Sequence, residues 1–206
     1  MKVSGSRLIL ASGSPRRLSV LRQLGLNPEV RPAEIDEAYT SGESPLGYVE
    51  RLARAKAEIV AATEQNALVV AGDTVVLYEG RVLLKPKDSD EAVSMLNQLA
   101  GNVHEVLSSL ALAGPNRIVS GVERTEVLFR DFGKGTSQRY VATGEPLDKA
   151  GAYGIQGLGA ALVAGIRGDY YSVVGFPVSL FLDLLEQEGW LYEFGHLSPT
   201  SPDTLA

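Results

Sequence analysis

The chain contains no cysteine, which excludes disulfide staples, thiolate metal sites and a cysteine nucleophile together. Histidine is nearly as scarce. His104 and His196 are the only two, so neither paired-histidine metal spacing nor a histidine-rich site is available. No Gly-x-Ser-x-Gly elbow is present, which argues against serine-triad chemistry. The glycine turn near the start is not followed by Gly-Lys-Ser/Thr, and no Gly-x-Gly-x-x-Gly opens a helix after a strand, so phosphate-loop and dinucleotide folds lack support. No apolar run reaches the ~18 residues that a membrane span needs, and the first apolar patch is too short for a secretory core. The chain is expected to be soluble and cytoplasmic, with no membrane partner.

Positive charge is also in short supply. Twenty-five acids stand against 19 bases, a net charge of −6, whereas a general nucleic-acid surface would show a basic stripe. An acidic chain can still bind phosphates, but only where its cations cluster. At 206 residues and 45% hydrophobic, it is expected to form a single domain with two lobes over residues 1–194. Residues 195–206, with two prolines among small polar residues, are expected to be a disordered tail.

Strand and helix patterns interleave throughout, which predicts an α/β fold. A short apolar run over 7–11 is broken by Ser12-Gly13-Ser14. Pro15 then follows Ser14, the order favoured at a helix start. Leu18, Leu21 and Leu24 continue at helical spacing to Gly25. A second helix is predicted over 44–62, with Val49, Leu52, Ala53, Lys56 and Val60 on one side. Residues 67–78 (ALVVAGDTVVLY) read as a strand covered on both faces, with a second strand over 81–85. Asp88 and Glu91 suggest a capping box. Strands over 103–113 and 118–129, a short helix over 137–143, a glycine-rich loop over 144–159, a buried strand over 160–166 and a helix over 177–188 complete the pattern.

Two places stand out chemically. In Ser12-Gly13-Ser14-Pro15-Arg16-Arg17 two arginines fall in the first turn of a helix, where the peptide dipoles disfavour them by ~0.3–1 kcal/mol each. A bound anion would remove the conflict, since helix amides, serine hydroxyls and guanidinium forks suit a phosphate. A solvated helix start with tolerated charges is the plain alternative. Asp73 interrupts a run that should be buried. An unpaired carboxylate there would cost several kcal/mol, so it must meet a cation, a metal or water. It is then a candidate general base or ligand to a hard divalent ion, or a structural carboxylate at a bulge beside Gly72. Lys56 lies among apolar neighbours, and Lys85 can return towards the Asp73 strand across a hairpin. Each alone reads more simply as a snorkelling side chain, and Glu34 alone carries no signal. Gln156, in the glycine-rich loop, offers a donor and an acceptor suited to a base edge. That loop reads equally as a crossover in which Glu145 or Asp148 pairs with Lys149.

The blocks LILASGSPRRLSVLRQLG, AGDTVV, LLKP, GNVHEVLSSLAL, GEPLDKAGAYGIQG and GDYYSVVGFPV occur in order over about 7–188. This series resembles the Maf family, also called septum-formation inhibitor proteins. The resemblance implies a long mixed β-sheet with helices and two lobes around a cleft, similar to inosine triphosphate pyrophosphatases. It also implies cleavage of a nucleoside triphosphate to monophosphate and pyrophosphate with a divalent cation, Mg or Mn. Asp73 matches the family's proton acceptor. Ser12, Ser14, Arg17, Lys56 and Lys85 match phosphate- or substrate-binding positions, and Glu34 with Asp73 would hold the metal. Arg16, Thr74 and Gln156 correspond to specificity positions, in the combination of the branch that acts on dTTP and UTP. Gly13 and Gly72 stand where many members carry alanine, which reads as a conservative difference. The partners implied are pyrimidine nucleoside triphosphates, modified ones included, and a second copy of the chain in a homodimer. A house-cleaning role linked to cell-division arrest follows. The alternative is a nucleotide-sensing regulator of septum formation without significant catalysis.

Overall fold

The computed structural model describes residues 7–40, 42–64, 66–115 and 117–200. Strand β1 (Arg7–Leu10) leads through a four-residue loop into helix α1 (Pro15–Gln23). Gly25 ends α1 with φ +76°, where a side chain would be strained. A short strand β2 (Glu29–Val30) and helix α2 (Pro45–Ala61) follow, with the Ser44 hydroxyl capping α2 by accepting from Gly47 N. The long strand β3 (Ala67–Tyr78) turns at Glu79-Gly80, both at positive φ, into β4 (Arg81–Leu83). That backbone twist suits a two-residue hairpin.

Asp88 accepts from Glu91 N at 2.8 Å to start α3 (Ser89–Leu99), and the Glu91 carboxylate reaches back to Lys87 N at 2.6 Å. Strands β5 (Val103–Ala113) and β6 (Ile118–Phe129) and helix α4 (Lys134–Val141) come next. The glycine-rich loop is organised as three 3₁₀ turns, Glu145–Asp148, Ala150–Ala152 and Gly157–Leu162. Strand β7 (Val163–Arg167) and helices α5 (Tyr170–Val174) and α6 (Val178–Gln187) follow. The described chain closes with β8 (Trp190–Tyr192) and β9 (Leu197–Pro199).

The main sheet is mixed, as the family resemblance implies, within the α/β class that the interleaved pattern predicts. Its order is β2-β1-β3-β5-β6-β7, with β4 paired to β3. β1 runs parallel to β2 and β3, while β4 is antiparallel to β3 and β7 to β6. Two expectations are corrected here. The strand expected over 160–166 forms over 163–167 instead, and it is exposed, because among the described residues it is the last strand of the sheet and has one neighbour. Residues 197–199 belong to a hairpin with β8, not to a frayed tail. Pro199 is tolerated there because this two-stranded sheet is all edge. Gly25 and Gly195 also pack so closely that a Cβ on Gly25 would lie 2.7 Å from Gly195 Cα. Residues 201–206 fall outside the described residues.

The chain divides into two compact units. The first comprises Met1–Asp73, Ser109–Val122 and Gly175–Ala206. Its core sets Ala53, Ala57 and Val60 of α2 against Ile9, Val69, Ala71, Ala111 and Ala113. The strand residues are all odd-numbered, so one face of β1, β3 and β5 carries α2. The even set, Leu10, Leu68, Val70, Leu110 and Leu112, is buried too, which is why β3 lacks polar alternation. The second unit comprises Thr74–Ser108 and Glu123–Val174. It packs Ala92, Met95, Leu96 and Leu99 of α3 with Val106, Val127, Phe129, Tyr140 and Tyr153. His104 is buried in it, 2.8 Å from the Tyr153 hydroxyl through Nε2 and edge-on to Phe129. Among the described residues no helix is long and apolar enough to cross a membrane.

Candidate active site

The pleat of β3 decides which way Asp73 points. It follows Ala67, Val69 and Ala71 on the face that packs on α2. Lys56 lies on the buried stripe of α2 with Val49, Leu52, Ala53 and Val60. The two meet: Lys56 Nζ donates to Asp73 Oδ1 at 2.7 Å, and their side chains are only 10% and 14% exposed. The same ammonium lies 2.6 Å from Glu37 Oε1. Lys56 is therefore no snorkelling lysine; it is a cation shared by two carboxylates.

Glu37 carries no distinguishing signal in the sequence. Its segment has no regular structure, and α2 holds that segment in place. Buried Tyr48 donates its hydroxyl to the Glu37 carbonyl at 2.8 Å, and Arg51 donates to the Ala38 carbonyl and to Glu43. Burial first, then Asp73 and Glu37, raise the Tyr48 phenol above its ordinary value. Glu34, three residues before Glu37, is exposed.

Arg17 and the Ser12–Ser14 turn complete the cluster in this unit. The Ser12 hydroxyl, buried, accepts from Arg17 Nη1 at 3.0 Å and from Ser14 N at 3.2 Å. Arg17 Nε donates to the Gly175 carbonyl at 2.9 Å. Ser14 is the N-cap of α1, with Pro15 after it and no acid in the first turn. Burial lowers the Arg17 guanidinium below its ordinary value; Asp73 opposes the shift, and neighbouring Arg16 adds to it. Gly72 gives Arg17 its room. A Cβ there would meet the Ser109 carbonyl oxygen at 2.8 Å and Leu110 Cδ2 at 2.9 Å, with Arg17 Nε at 3.4 Å. Alanine is thus not a neutral exchange at Gly72 in this chain, whereas at Gly13 only Pro32 comes near, at 3.9 Å.

Thr74, Lys85 and Gln156 belong to the second unit. Thr74 Oγ1 lies 2.9 Å from Ser108 Oγ, which donates to the Ser172 carbonyl at 2.7 Å. Since Ser108 has one proton to give, Thr74 is the donor in that pair. The β3–β4 register runs to Val76 opposite Leu83; two more steps would set Lys85 opposite Thr74, but the pairing stops. Lys85 is exposed, and the Leu84 carbonyl accepts from Gly151 N at 3.2 Å instead. Gln156 is exposed and precedes the third 3₁₀ turn without capping it.

Two carboxylates, Asp73 and Glu37, meet on the one Lys56 ammonium. Asp73 and Glu37 supply hard oxygen donors, which fits a divalent ion that keeps water and takes phosphate oxygens for its other ligands. Among the described residues no cluster of three or more metal-ligating side chains occurs.

The class so defined is an α/β protein with a cationic, carboxylate-bearing site where a strand and the start of a helix converge. The Maf-like protein family model matches residues 7–188, and the chain belongs to that family. A Moorella thermoacetica protein named dTTP/UTP pyrophosphatase is 50% identical over 182 residues, covering 87% of this chain and 94% of that protein. One of the same name from Symbiobacterium thermophilum is 47% identical over 184 residues, 89% and 95% of the two chains. The Staphylococcus aureus Ham1 protein structure aligns with 88% of this chain and 90% of its own, at 14% identity and a TM-score of 0.47, a likeness too loose to bear on function.

Proposed function

We propose that the protein is a nucleoside triphosphate pyrophosphatase that hydrolyses dTTP and UTP to the monophosphate and pyrophosphate. The observation that carries this reading is the Asp73–Lys56–Glu37 cluster beside Arg17. A carboxylate set among cations can take a proton from water while the cations hold the phosphates. The names of the relatives supply the substrate class.

In this reading water attacks the α-phosphorus and passes its proton to the Asp73 carboxylate. The bond from the α-phosphorus to the bridging oxygen of the β-phosphate breaks, and pyrophosphate leaves with that oxygen. Lys56 and Arg17 stabilise the charge on the departing group, with Ser12 and Ser14 shaping the turn at the helix start. Asp73 and Glu37, with Glu34 close by in sequence, are the oxygen donors for a divalent cation, Mg or Mn. When bound, that ion neutralises phosphate charge. Arg16, Thr74 and Gln156 are assigned to base recognition and Lys85 to phosphate, on the resemblance. Wrong bases would leave polar groups unpaired, which discriminates more strongly than shape. We further propose a cytoplasmic house-cleaning role.

The test is a nucleotide panel assayed for pyrophosphate release with Mg²⁺ and Mn²⁺. dTTP and UTP are expected to be the best substrates. Preference for purine triphosphates would overturn the substrate assignment, and binding without turnover would favour a nucleotide sensor.

A further inference from the structure

The loop that carries Gln156 is rich in glycine, yet it is tied down on both sides of Gln156 by two side chains that bond each other, Glu145 and Tyr140. Glu145 Oε1 accepts from the Tyr140 hydroxyl at 2.9 Å and from Gly159 N at 3.0 Å, while Oε2 accepts from Leu158 N at 3.0 Å. Having given its proton to Glu145, the Tyr140 oxygen accepts from Gly154 N at 3.2 Å. The backbone two and three residues after Gln156 is therefore held by the Glu145 carboxylate, and the backbone two residues before it by the Tyr140 hydroxyl that bonds that carboxylate.

The glycines fit this bonding. Gly157 sits at φ +70°, and a Cβ on it would lie 2.9 Å from Glu145 Oε2. A Cβ on Gly159 would lie 2.3 Å from the Gly154 carbonyl oxygen and 2.5 Å from the Tyr140 hydroxyl. These glycines allow close packing; they do not loosen the loop. Glu145 is itself held, since its N–H donates to Thr143 Oγ1 at 3.2 Å and Lys149 Nζ donates to its carbonyl. Burial pushes its carboxyl upward, but the Leu158 and Gly159 amides and the Tyr140 hydroxyl outweigh this and leave it below the usual range.

We propose that Glu145, directly at Leu158 and Gly159 and through Tyr140 at Gly154, is a positioning residue for substrate specificity: it fixes the peptide around Gln156 so that the Gln156 amide is presented in one orientation. A flexible loop would lose part of its discrimination to the entropy of ordering. The proposal rests on the assignment of Gln156 to base reading.

The test uses the full chain carrying Glu145→Ala, Tyr140→Phe, Gln156→Ala or Glu145→Ala with Gln156→Ala. kcat/KM is measured for dTTP, UTP and GTP, with amide exchange at Gly154, Leu158 and Gly159. Glu145→Ala is expected to lower kcat/KM for dTTP and UTP by about 10-fold while the GTP rate holds, the range expected for a misplaced amide–base contact. Tyr140→Phe, which keeps the ring, is expected to do the same to a smaller extent, and it carries the test should Glu145→Ala not fold. The double variant is expected to be no worse than Gln156→Ala, because the two residues act as one unit. Exchange at the three amides should rise in both clamp variants. Equal losses for all three nucleotides, fully additive losses, or unchanged exchange would each overturn the proposal. Selectivity lost in Gln156→Ala but kept in both clamp variants would overturn the clamp and leave the base reading standing. Selectivity kept in Gln156→Ala would overturn the base reading, and the clamp's purpose with it.

Discussion

Lys56 Nζ donates to Asp73 Oδ1 at 2.7 Å, joining the buried stripe of α2 to β3. Its second contact, 2.6 Å to Glu37 Oε1, makes this lysine the cation that holds two carboxylates close against their mutual repulsion. Lys56→Met keeps the stem and removes the charge. Breaking a buried pair costs ~3–5 kcal/mol, but Glu37 is about half exposed, so screening reduces the expected loss to ~1–3 kcal/mol. Millimolar Mg²⁺ should raise the melting temperature of this variant more than that of the wild type, because the vacated seat has two oxygen donors. Melts with and without MgCl₂ check this; an equal response would contradict the cation-seat account.

Arg16 and Arg17 are adjacent but are expected to behave differently. Arg17 links Ser12 and the Gly175 carbonyl, and hydrogen bonds from a charged donor contribute ~1.5–3 kcal/mol each. Arg17→Ala should therefore lower both stability and triphosphate turnover. Arg16→Ala should change substrate use while stability stays within ~0.5 kcal/mol or rises, since a positive charge leaves a helix start. Denaturant melts and kcat/KM for both variants separate the two roles.

The parts of the site set by periodicity were legible in the sequence. Asp73 stands out as a charge in an apolar strand and Lys56 as a charge on an apolar helix face, but neither period says that the two meet, and Lys56 alone reads as a snorkelling side chain. Glu37 is not legible, because it shares an irregular stretch with Glu34, Asp36 and Glu43 and no period says which acid reaches Lys56. Glu145 was legible only as a partner for Lys149. Its carboxylate instead serves amides 13 and 14 residues away, a distance that loop sequence does not encode. The strand now at 163–167 looked buried by composition, but burial depended on a second neighbour that the sheet does not supply.

His104 is expected to set the acid limit of stability. Burial lowers its pKa from 6.5 to about 4, and Nδ1 has no hydrogen-bond partner among the described residues. The unfolded chain takes up the proton near its ordinary value, while the folded one resists. Stability should therefore fall as pH drops from about 6.5 to about 4, by up to ~1.4 kcal/mol per pH unit from this residue. Urea titrations across that window, compared with those of His104→Gln, check this. An identical slope in the variant would remove His104 as the cause.

The central claim is that water activated at Asp73 attacks the α-phosphorus. Hydrolysis of dTTP in H₂¹⁸O, with the products separated by mass, tests it directly. The account predicts one ¹⁸O in thymidine monophosphate, none in pyrophosphate, and a rate at least ~100-fold lower in Asp73→Asn with dTTP binding retained. Label in the pyrophosphate, release of diphosphate and inorganic phosphate, or an Asp73→Asn enzyme that turns over at the wild-type rate would contradict it.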